Sequence, residues 1–183
     1  MRSVQRGDVV RQRGDDARAG RETPLILAAA PPLDAIYRSV NSYPFLPEAG
    51  IAGNPETMSD SELAQEARGV LDTLFREELA EIDALFELRT GQGRTTTDVA
   101  EAARAATHGA VAILLVDIDA VVPGTVDDED GTVSFAVEGD AGAYGVVDEV
   151  ARRALATGAR VLGVRREEVP GGGDLAAILR YRI

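Results

Sequence analysis

Carboxylates are the residues whose type and spacing most suggest chemistry in this chain. Asp117 and Asp119 follow an apolar run, and the acidic stretch Asp127-Asp-Glu-Asp-Gly131 comes shortly after them. Clustered carboxylate oxygens can hold Ca²⁺ or Mg²⁺, but the spacing here does not match an EF-hand loop. We therefore predict a solvated acidic turn, with a contact patch for an Arg-rich partner as the alternative. The residues of that patch are Asp127, Asp128, Glu129 and Asp130.

The single histidine, His108, offers little for catalysis. A serine–histidine site needs a hydroxyl, a base and an orienting carboxylate in fixed geometry, and no serine motif lies near His108. Its position at the end of a predicted helix suits a structural cap. The chain has no Cys, which excludes disulfides and thiolate chemistry. We predict no catalytic residue, no metal site and no cofactor; the alternative is a hydrolase using buried carboxylates such as Asp117 and Asp119.

Charge narrows the class of partner. The net charge is −12, and all 19 basic residues are Arg. An acidic chain repels phosphate backbones unless its arginines cluster, so we predict no DNA partner. No run approaches the roughly 18 apolar residues of a membrane span, so we predict no membrane association and a cytoplasmic location. The candidate RNA contacts, if arginines do cluster, are Arg89, Arg94 and Arg104.

The first half of the chain contains few predicted secondary-structure elements. Pro24–Ala30 is a short apolar run stopped by prolines, which predicts a buried strand. Leu33–Val40 has apolar residues on one helical face, which predicts a short helix. Ser59 and Glu62 have the spacing of a capping box. The helical period continues from there to about Arg89, which predicts the longest helix of the chain.

Beyond a boundary at Thr90–Arg94, helix and apolar strand alternate, which is typical of an α/β sandwich. Gly109 and Gly158 lie where helices end in a left-handed residue. Gly171–Gly173 precedes a strand, so we predict a flexible turn and not a phosphate-binding loop, which would open a helix. The predicted elements are helix Asp98–Thr107, strand Val111–Ile118, strand Thr132–Val137, helix Gly145–Thr157, strand Arg160–Val164 and strand Leu175–Arg182.

Two segments, in this order, resemble the third domain of the archaeo-eukaryotic class-1 release factor and Pelota family. Gly109-Ala-Val111 followed by Ile113-Leu-Leu-Val116 is similar to that family's turn and its Ile/Leu-rich strand. The family's ending, a glycine pair and then Ile-Leu-Arg-Tyr, is matched by Gly171, Gly172, Ile178, Leu179, Arg180 and Tyr181. Outside this domain, the segment Ile36–Pro44 resembles bacterial members of the family.

The resemblance implies an α/β fold in three parts. Residues 91–183 would form a three-layer α/β/α third domain, whose fold is shared with kink-turn RNA-binding proteins. Residues 23–90 would be the C-terminal part of an RNase H-like middle domain with a long helix. The polar, Arg-rich residues 1–22 predict a flexible tail, with an RNA-contacting arm as the alternative. The chain thus resembles a C-terminal fragment or a shortened member, and missing strands would leave a sheet edge that favours a homodimer.

The resemblance also implies a function. Gly91-Gln-Gly93 lacks the glycine pair of the Gly-Gly-Gln tripeptide, so hydrolysis of peptidyl-tRNA is not implied. What is implied is a non-catalytic interaction module that acts at the ribosome in rescue, termination or dormancy. The resemblance implies the ribosome and a translational GTPase or ATPase as partners. The acidic surface fits a protein contact better than an RNA contact. Direct binding of structured RNA is the alternative function.

Overall fold

The computed structural model describes residues 23–136 and 144–182. The predicted tail over residues 1–22 lies outside the described residues, as do residues 137–143, which include the end of the predicted strand Thr132–Val137, and residue 183. The described chain divides into two compact units, one ending at Arg76 and the other beginning at Glu77. The predicted mixed α/β class is confirmed. The predicted layering, domain bounds and RNase H-like relationship stay predictions.

The first unit contains a small sheet and a short helix. β1 (Ala28–Ala29) pairs in parallel with β2 (Ile51–Ala52), so only two residues of the predicted strand Pro24–Ala30 enter a ladder. Helix α1 (Leu33–Val40) has the predicted bounds. None of its residues is buried, and its apolar face is therefore exposed. A single turn of 3-10 helix (Pro55–Thr57) precedes the next helix.

Helix α2 (Asp60–Thr90) begins at the predicted capping box. The Ser59 backbone N–H donates to Oε2 of Glu62 at 2.8 Å, and the Glu62 N–H donates to the Ser59 hydroxyl oxygen at 3.3 Å. This reciprocal pair satisfies first-turn donors that have no partner within the helix. The last part of α2 belongs to the second unit, where Ile82 and Phe86 are buried.

The second unit is built on a four-stranded sheet of order β3-β9-β4-β8. β4 and β8 are parallel, whereas β9 lies antiparallel between β4 and β3. The strands are β3 (Thr95–Thr96), β4 (Val111–Asp117), β8 (Arg160–Val164) and β9 (Leu175–Leu179). All five residues of β9 are buried, which explains why the closing strand is wholly apolar.

Two apolar cores lie against this sheet. Leu114, Leu175 and Leu179 pack with helices α3 (Val99–Thr107) and α4 (Val146–Ala156). Leu115 and Ile178 pack instead with the end of α2. Neighbouring residues of β4 and β9 enter different cores because successive side chains of a strand point to opposite faces.

A second sheet of order β6-β5-β7 forms the connection between β4 and α4. It consists of β5 (Pro123–Val126), β6 (Val133–Phe135) and β7 (Tyr144–Gly145). β5 lies between the predicted strands Val111–Ile118 and Thr132–Val137, where the sequence predicts no strand. A Cβ at Gly124 would lie 2.6 Å from the Ser134 carbonyl oxygen, so the close pairing of β5 and β6 requires glycine there. A turn of 3-10 helix (Arg166–Glu168) follows β8. No helix among the described residues has the length and apolarity needed to cross a membrane.

Candidate partner-binding surface

The predicted acidic patch is a turn between β5 and β6, which we call the acidic turn (Asp127–Asp130). Its four carboxylates are all on exposed residues. Oδ1 of Asp127 accepts from the backbone N–H groups of Glu129 at 2.8 Å and Asp130 at 3.2 Å. Oδ1 of Asp130 accepts from the Thr132 N–H at 2.8 Å. Hydrogen bonding by Thr132 lowers the pKa of Asp130, so this carboxylate is charged at neutral pH.

A buried arginine on α4 forms hydrogen bonds with the acidic turn. Arg153 is only 7% exposed. Its Nη1 donates to the Asp127 carbonyl oxygen at 2.6 Å and to Oγ1 of Thr107 at 2.9 Å. Its Nη2 donates to the Val126 carbonyl oxygen at 3.0 Å and to Oδ1 of Asp128 at 2.8 Å. One guanidinium therefore joins β5, the acidic turn and α3 to α4.

Glu149 balances the charge of that guanidinium. Its Oε1 accepts from Nε of Arg153 at 2.6 Å, and its Oε2 accepts from Nε of Arg152 at 2.7 Å. The Arg152 hydrogen bond, followed by that of Arg153, lowers the pKa of Glu149 from 4.5 to about 2. The carboxylate therefore stays charged through the physiological range and keeps Arg153 in place.

Gly131 allows the acidic turn to lie directly on α3. Its φ is +75°, and a Cβ there would lie 2.6 Å from Oγ1 of Thr107 and 2.8 Å from the Ala103 carbonyl oxygen. The same Cβ would lie 2.8 Å from Cα of Arg104. Arg104, one of the three predicted RNA contacts, thus lies beside the acidic turn, and the nearby carboxylates oppose a phosphate at that position.

Asp117 and Asp119, the other acidic candidates, form a structural contact at the end of β4. Asp117 is 5% exposed, and its Oδ2 accepts from Nε of Arg166 at 3.0 Å. Its Oδ1 accepts from the backbone N–H of Asp119 at 3.1 Å. Arg166 also forms an ion pair with Asp174, and the hydrogen bond with Asp117 is the main reason that the pKa of Arg166 is raised. Within residues 23–136 and 144–182, no three His, Cys, Asp or Glu side chains are grouped to hold a metal ion.

Two of the predicted RNA contacts lie together at the start of β3. The Arg94 backbone N–H donates to the Arg89 carbonyl oxygen at 3.0 Å. Nη2 of Arg94 donates to the Leu179 carbonyl oxygen at 3.0 Å and also to the carbonyl oxygen of Arg180. Nη1 of Arg89 donates to Oε1 of Gln92 at 3.0 Å. The structure therefore brings Arg89 and Arg94 together and places Arg104 beside a different surface.

Arg180, within the family-like ending, has a role that sequence reasoning did not assign. Its Nη1 donates to the Gly109 carbonyl oxygen at 2.7 Å, and its Nη2 donates to the Thr157 carbonyl oxygen at 3.1 Å. Thr157 is the C-cap of α4, and Gly109 directly follows His108, the C-cap of α3. Helix ends leave carbonyl groups without intrahelical partners, so Arg180 caps α4 and also fixes the backbone just after α3.

Arg153 was also missed, although the sequence holds a signal for it. Val146, Val150, Arg153 and Ala154 are all buried on α4, and their spacing places them on one helical face. An arginine on the apolar face of a predicted helix indicates a buried charge, which requires a hydrogen-bonding partner. Glu149, one turn earlier, is the nearest candidate by spacing.

The fold of the described residues is similar to that of an archaeal Pelota. A ribosome-bound archaeal Pelota, determined with ABCE1, has a TM-score of 0.51 at 19% identity, over 82% of this chain and 40% of that chain. The C-terminal domain of a peptide chain release factor from Methanosarcina mazei has 18% identity and a TM-score of 0.45, over 69% of this chain and 98% of that one. Pelota from Archaeoglobus fulgidus has 20% identity and a TM-score of 0.39, over 86% and 49%.

The family is indicated independently by the first half of the chain. Residues 10–77 match the model of bacterial archaeo-eukaryotic release factor family 11. The predicted resemblance to the release factor and Pelota family is thereby confirmed over these residues. The chain spans 40% of the length of the archaeal Pelota that it matches. No curated protein is significantly similar to it.

Proposed function

We propose that this chain is a non-catalytic interaction module of a release-factor-like protein that acts at the ribosome. The observation that carries the proposal is the match of residues 10–77 to a release-factor family model. The fold likeness to a ribosome-bound Pelota supports it. The role is rescue, termination or dormancy, and the partners are the ribosome and a translational GTPase or ATPase.

The acidic turn is the surface that we assign to the protein partner. Asp127 and Asp130 use carboxylate oxygens to close the turn, and Asp128 accepts from the buried Arg153. Glu129 is exposed, and no hydrogen bond of its side chain is among those described. We therefore expect Glu129 to make the direct contact with a basic side chain of the partner.

Affinity capture from bacterial lysate tests this function. The full chain is immobilised, and the captured material is identified at low and at high salt. We expect ribosomes or a translation factor at low salt and less of either at high salt, because exposed ion pairs are screened. Recovery of neither ribosomes nor any translation factor would count against the proposal.

Two matched variants locate the surface. Glu129→Lys reverses a charge on the acidic turn, whereas Glu66→Lys makes the same change at an exposed position of α2. We expect Glu129→Lys to reduce capture of the partner and Glu66→Lys to leave it unchanged. Equal capture by both variants would move the partner away from the acidic turn.

A further inference from the structure

Four chain segments of the second unit contain no carboxylate, in a chain whose net charge is −12. They are residues 88–97, 104–113, 155–159 and 177–182. Hydrogen bonds join them at one end of the four-stranded sheet: Arg180 donates from its backbone N–H to the Ala110 carbonyl oxygen and from its side chain to the Thr157 carbonyl oxygen. Arg94 connects the first segment to the last.

Three guanidinium groups surround the turn that joins α2 to β3. Nη1 of Arg89 donates to Oε1 of Gln92 at 3.0 Å. Nε and Nη2 of Arg182 each lie 3.1 Å from the position that a Cβ would take on Gly93. Nη2 of Arg94 donates to the backbone carbonyl oxygen of Leu179, at the end of β9. The turn and the segment after β9 therefore form one surface, which we call the arginine face (Arg89, Arg94, Arg180 and Arg182).

No ion pair among the described residues involves an arginine of the arginine face. The ion pairs found in residues 23–136 and 144–182 involve Arg152, Arg153, Arg160 and Arg166, and none of these belongs to the face. The partners of Arg94 and Arg180 are neutral carbonyl groups. A carbonyl oxygen orients a guanidinium but leaves its charge. Nη2 of Arg94 donates to two carbonyls and its Nε is buried, so Nη1 is the nitrogen of Arg94 that can reach a ligand. Nε of Arg180 makes none of the described hydrogen bonds of that side chain.

We propose that the arginine face binds the phosphodiester backbone of structured RNA. Guanidinium groups match phosphate oxygens with paired hydrogen bonds, and several separate cations suit a polyanion better than a single small anion. Because the chain as a whole is negatively charged, its other surfaces repel RNA, and the attraction is confined to the arginine face. The inference goes beyond the proposed function, which assigns a protein contact to the acidic turn and assigns no surface of the chain to RNA. It also replaces Arg104 of the predicted RNA contacts with Arg180 and Arg182.

The test uses the full chain and a labelled RNA hairpin of mixed sequence, with affinity measured by fluorescence anisotropy over a salt series. The double variant Arg89→Gln/Arg182→Gln removes two guanidinium groups. Neither donates to a backbone carbonyl among the described hydrogen bonds. We expect it to bind about tenfold more weakly, and we expect the slope of log K against log salt to become shallower by about 1.4–1.8 for two lost phosphate contacts. The control, Arg68→Gln/Arg165→Gln, changes the same charge at exposed positions outside the face and is expected to keep the parent slope.

Three results would overturn the inference: no salt-dependent binding by the parent, equal loss in both double variants, or competition by polyglutamate as strong as that by unlabelled RNA. The last result would assign the face to an acidic protein. Circular dichroism of both variants separates lost binding from lost folding. Ribosome capture that depends on Glu129 would still support the proposed function if RNA binding failed, so the two proposals fail separately.

Discussion

Nε of Arg153 donates to Oε1 of Glu149 at 2.6 Å, one helical turn earlier on α4. This ion pair lies beneath the acidic turn, and both side chains are largely buried, at 8% and 12% exposure. A buried charge is stable only when it is paired and hydrogen-bonded. The geometry of the acidic turn therefore depends on a contact between two residues that no partner would reach.

Replacing Arg153 is expected to destabilise the second unit strongly. Arg153→Met removes the bonds to Asp127, Val126 and Asp128 and leaves Glu149 with Arg152 alone. We expect the free energy of unfolding to fall by about 3 kcal/mol, near the lower end for loss of one partner of a buried pair. Urea denaturation measures the change. Arg152→Met, at a mostly exposed position, should cost less than about 1 kcal/mol, and equal losses would contradict the role given to Arg153.

The same pair predicts loss of stability in acid. The pKa of Glu149 is lowered from 4.5 to about 2 in the folded protein, so the unfolded state binds the proton more readily. The stabilisation is fully present above the unfolded pKa and is lost as the pH falls from about 4.5 through 2. Thermal unfolding from pH 6 to pH 2 should show this decline. Glu149→Gln should flatten it over that interval, and an unchanged profile in the variant would assign acid sensitivity to other carboxylates.

Gly131 and Gly172 form a matched pair of glycines. Both have positive φ, at +75° and +65°, but a Cβ at Gly131 meets Oγ1 of Thr107 at 2.6 Å, whereas a Cβ at Gly172 meets nothing within 4 Å. Gly172→Ala carries only the left-handed backbone cost, about 1 kcal/mol. Gly131→Ala adds a steric clash, so we expect a loss of about 2 kcal/mol or more. The prediction is wrong if chemical denaturation finds the two variants equally stable.

Arg180 is expected to stabilise the ends of two helices. Arg180→Met removes the donors to the carbonyl oxygens of Gly109 and Thr157, and we expect a loss of about 1–2 kcal/mol. Hydrogen exchange should quicken at the last turns of α3 and α4. Tyr181→Phe serves as the control, because its hydroxyl makes only a 3.4 Å contact with the His108 carbonyl oxygen. Exchange that is unchanged at both helix ends would contradict the assignment.

Self-association remains a prediction, and α1 offers a way to test it. Leu33, Ile36 and Val40 are all more than half exposed, although they form the apolar face of the helix. If this face meets a second copy of the chain, light scattering should give the mass of a dimer, and Leu33→Glu/Val40→Glu should give a monomer. Leu155→Glu, at an exposed position of the second unit, should leave the dimer intact. A monomeric parent protein would contradict the prediction.

The elements that sequence reasoning predicted well are those encoded by local signals. Leu33–Val40 and Arg160–Val164 have the predicted bounds, and the Ser59–Glu62 capping box marks the start of α2. Each rests on neighbouring residues, because periodicity and capping act within a few positions. Gly109 and Gly158 end their helices in the left-handed conformation for the same reason.

What the sequence did not predict depends on distant partners. β5 contains Pro123 and Gly124, which locally indicate a turn, and it is a strand only because β6 and β7 pair with it. The final strand ends at Leu179 and not at the predicted Arg182. Arg94 was predicted to contact RNA from its charge alone, whereas its contact with Leu179 spans 85 positions of the chain.

The buried Arg153 has one more consequence for the acidic turn. A loop that becomes ordered only on binding loses conformational entropy at that moment, which weakens association. Here Arg153 already fixes the carbonyl oxygens of Val126 and Asp127. The conformational entropy of this part of the turn is therefore lost during folding and not on binding. The acidic turn therefore presents its carboxylates to a partner as a preorganised surface, and association should proceed with little rearrangement of the free chain.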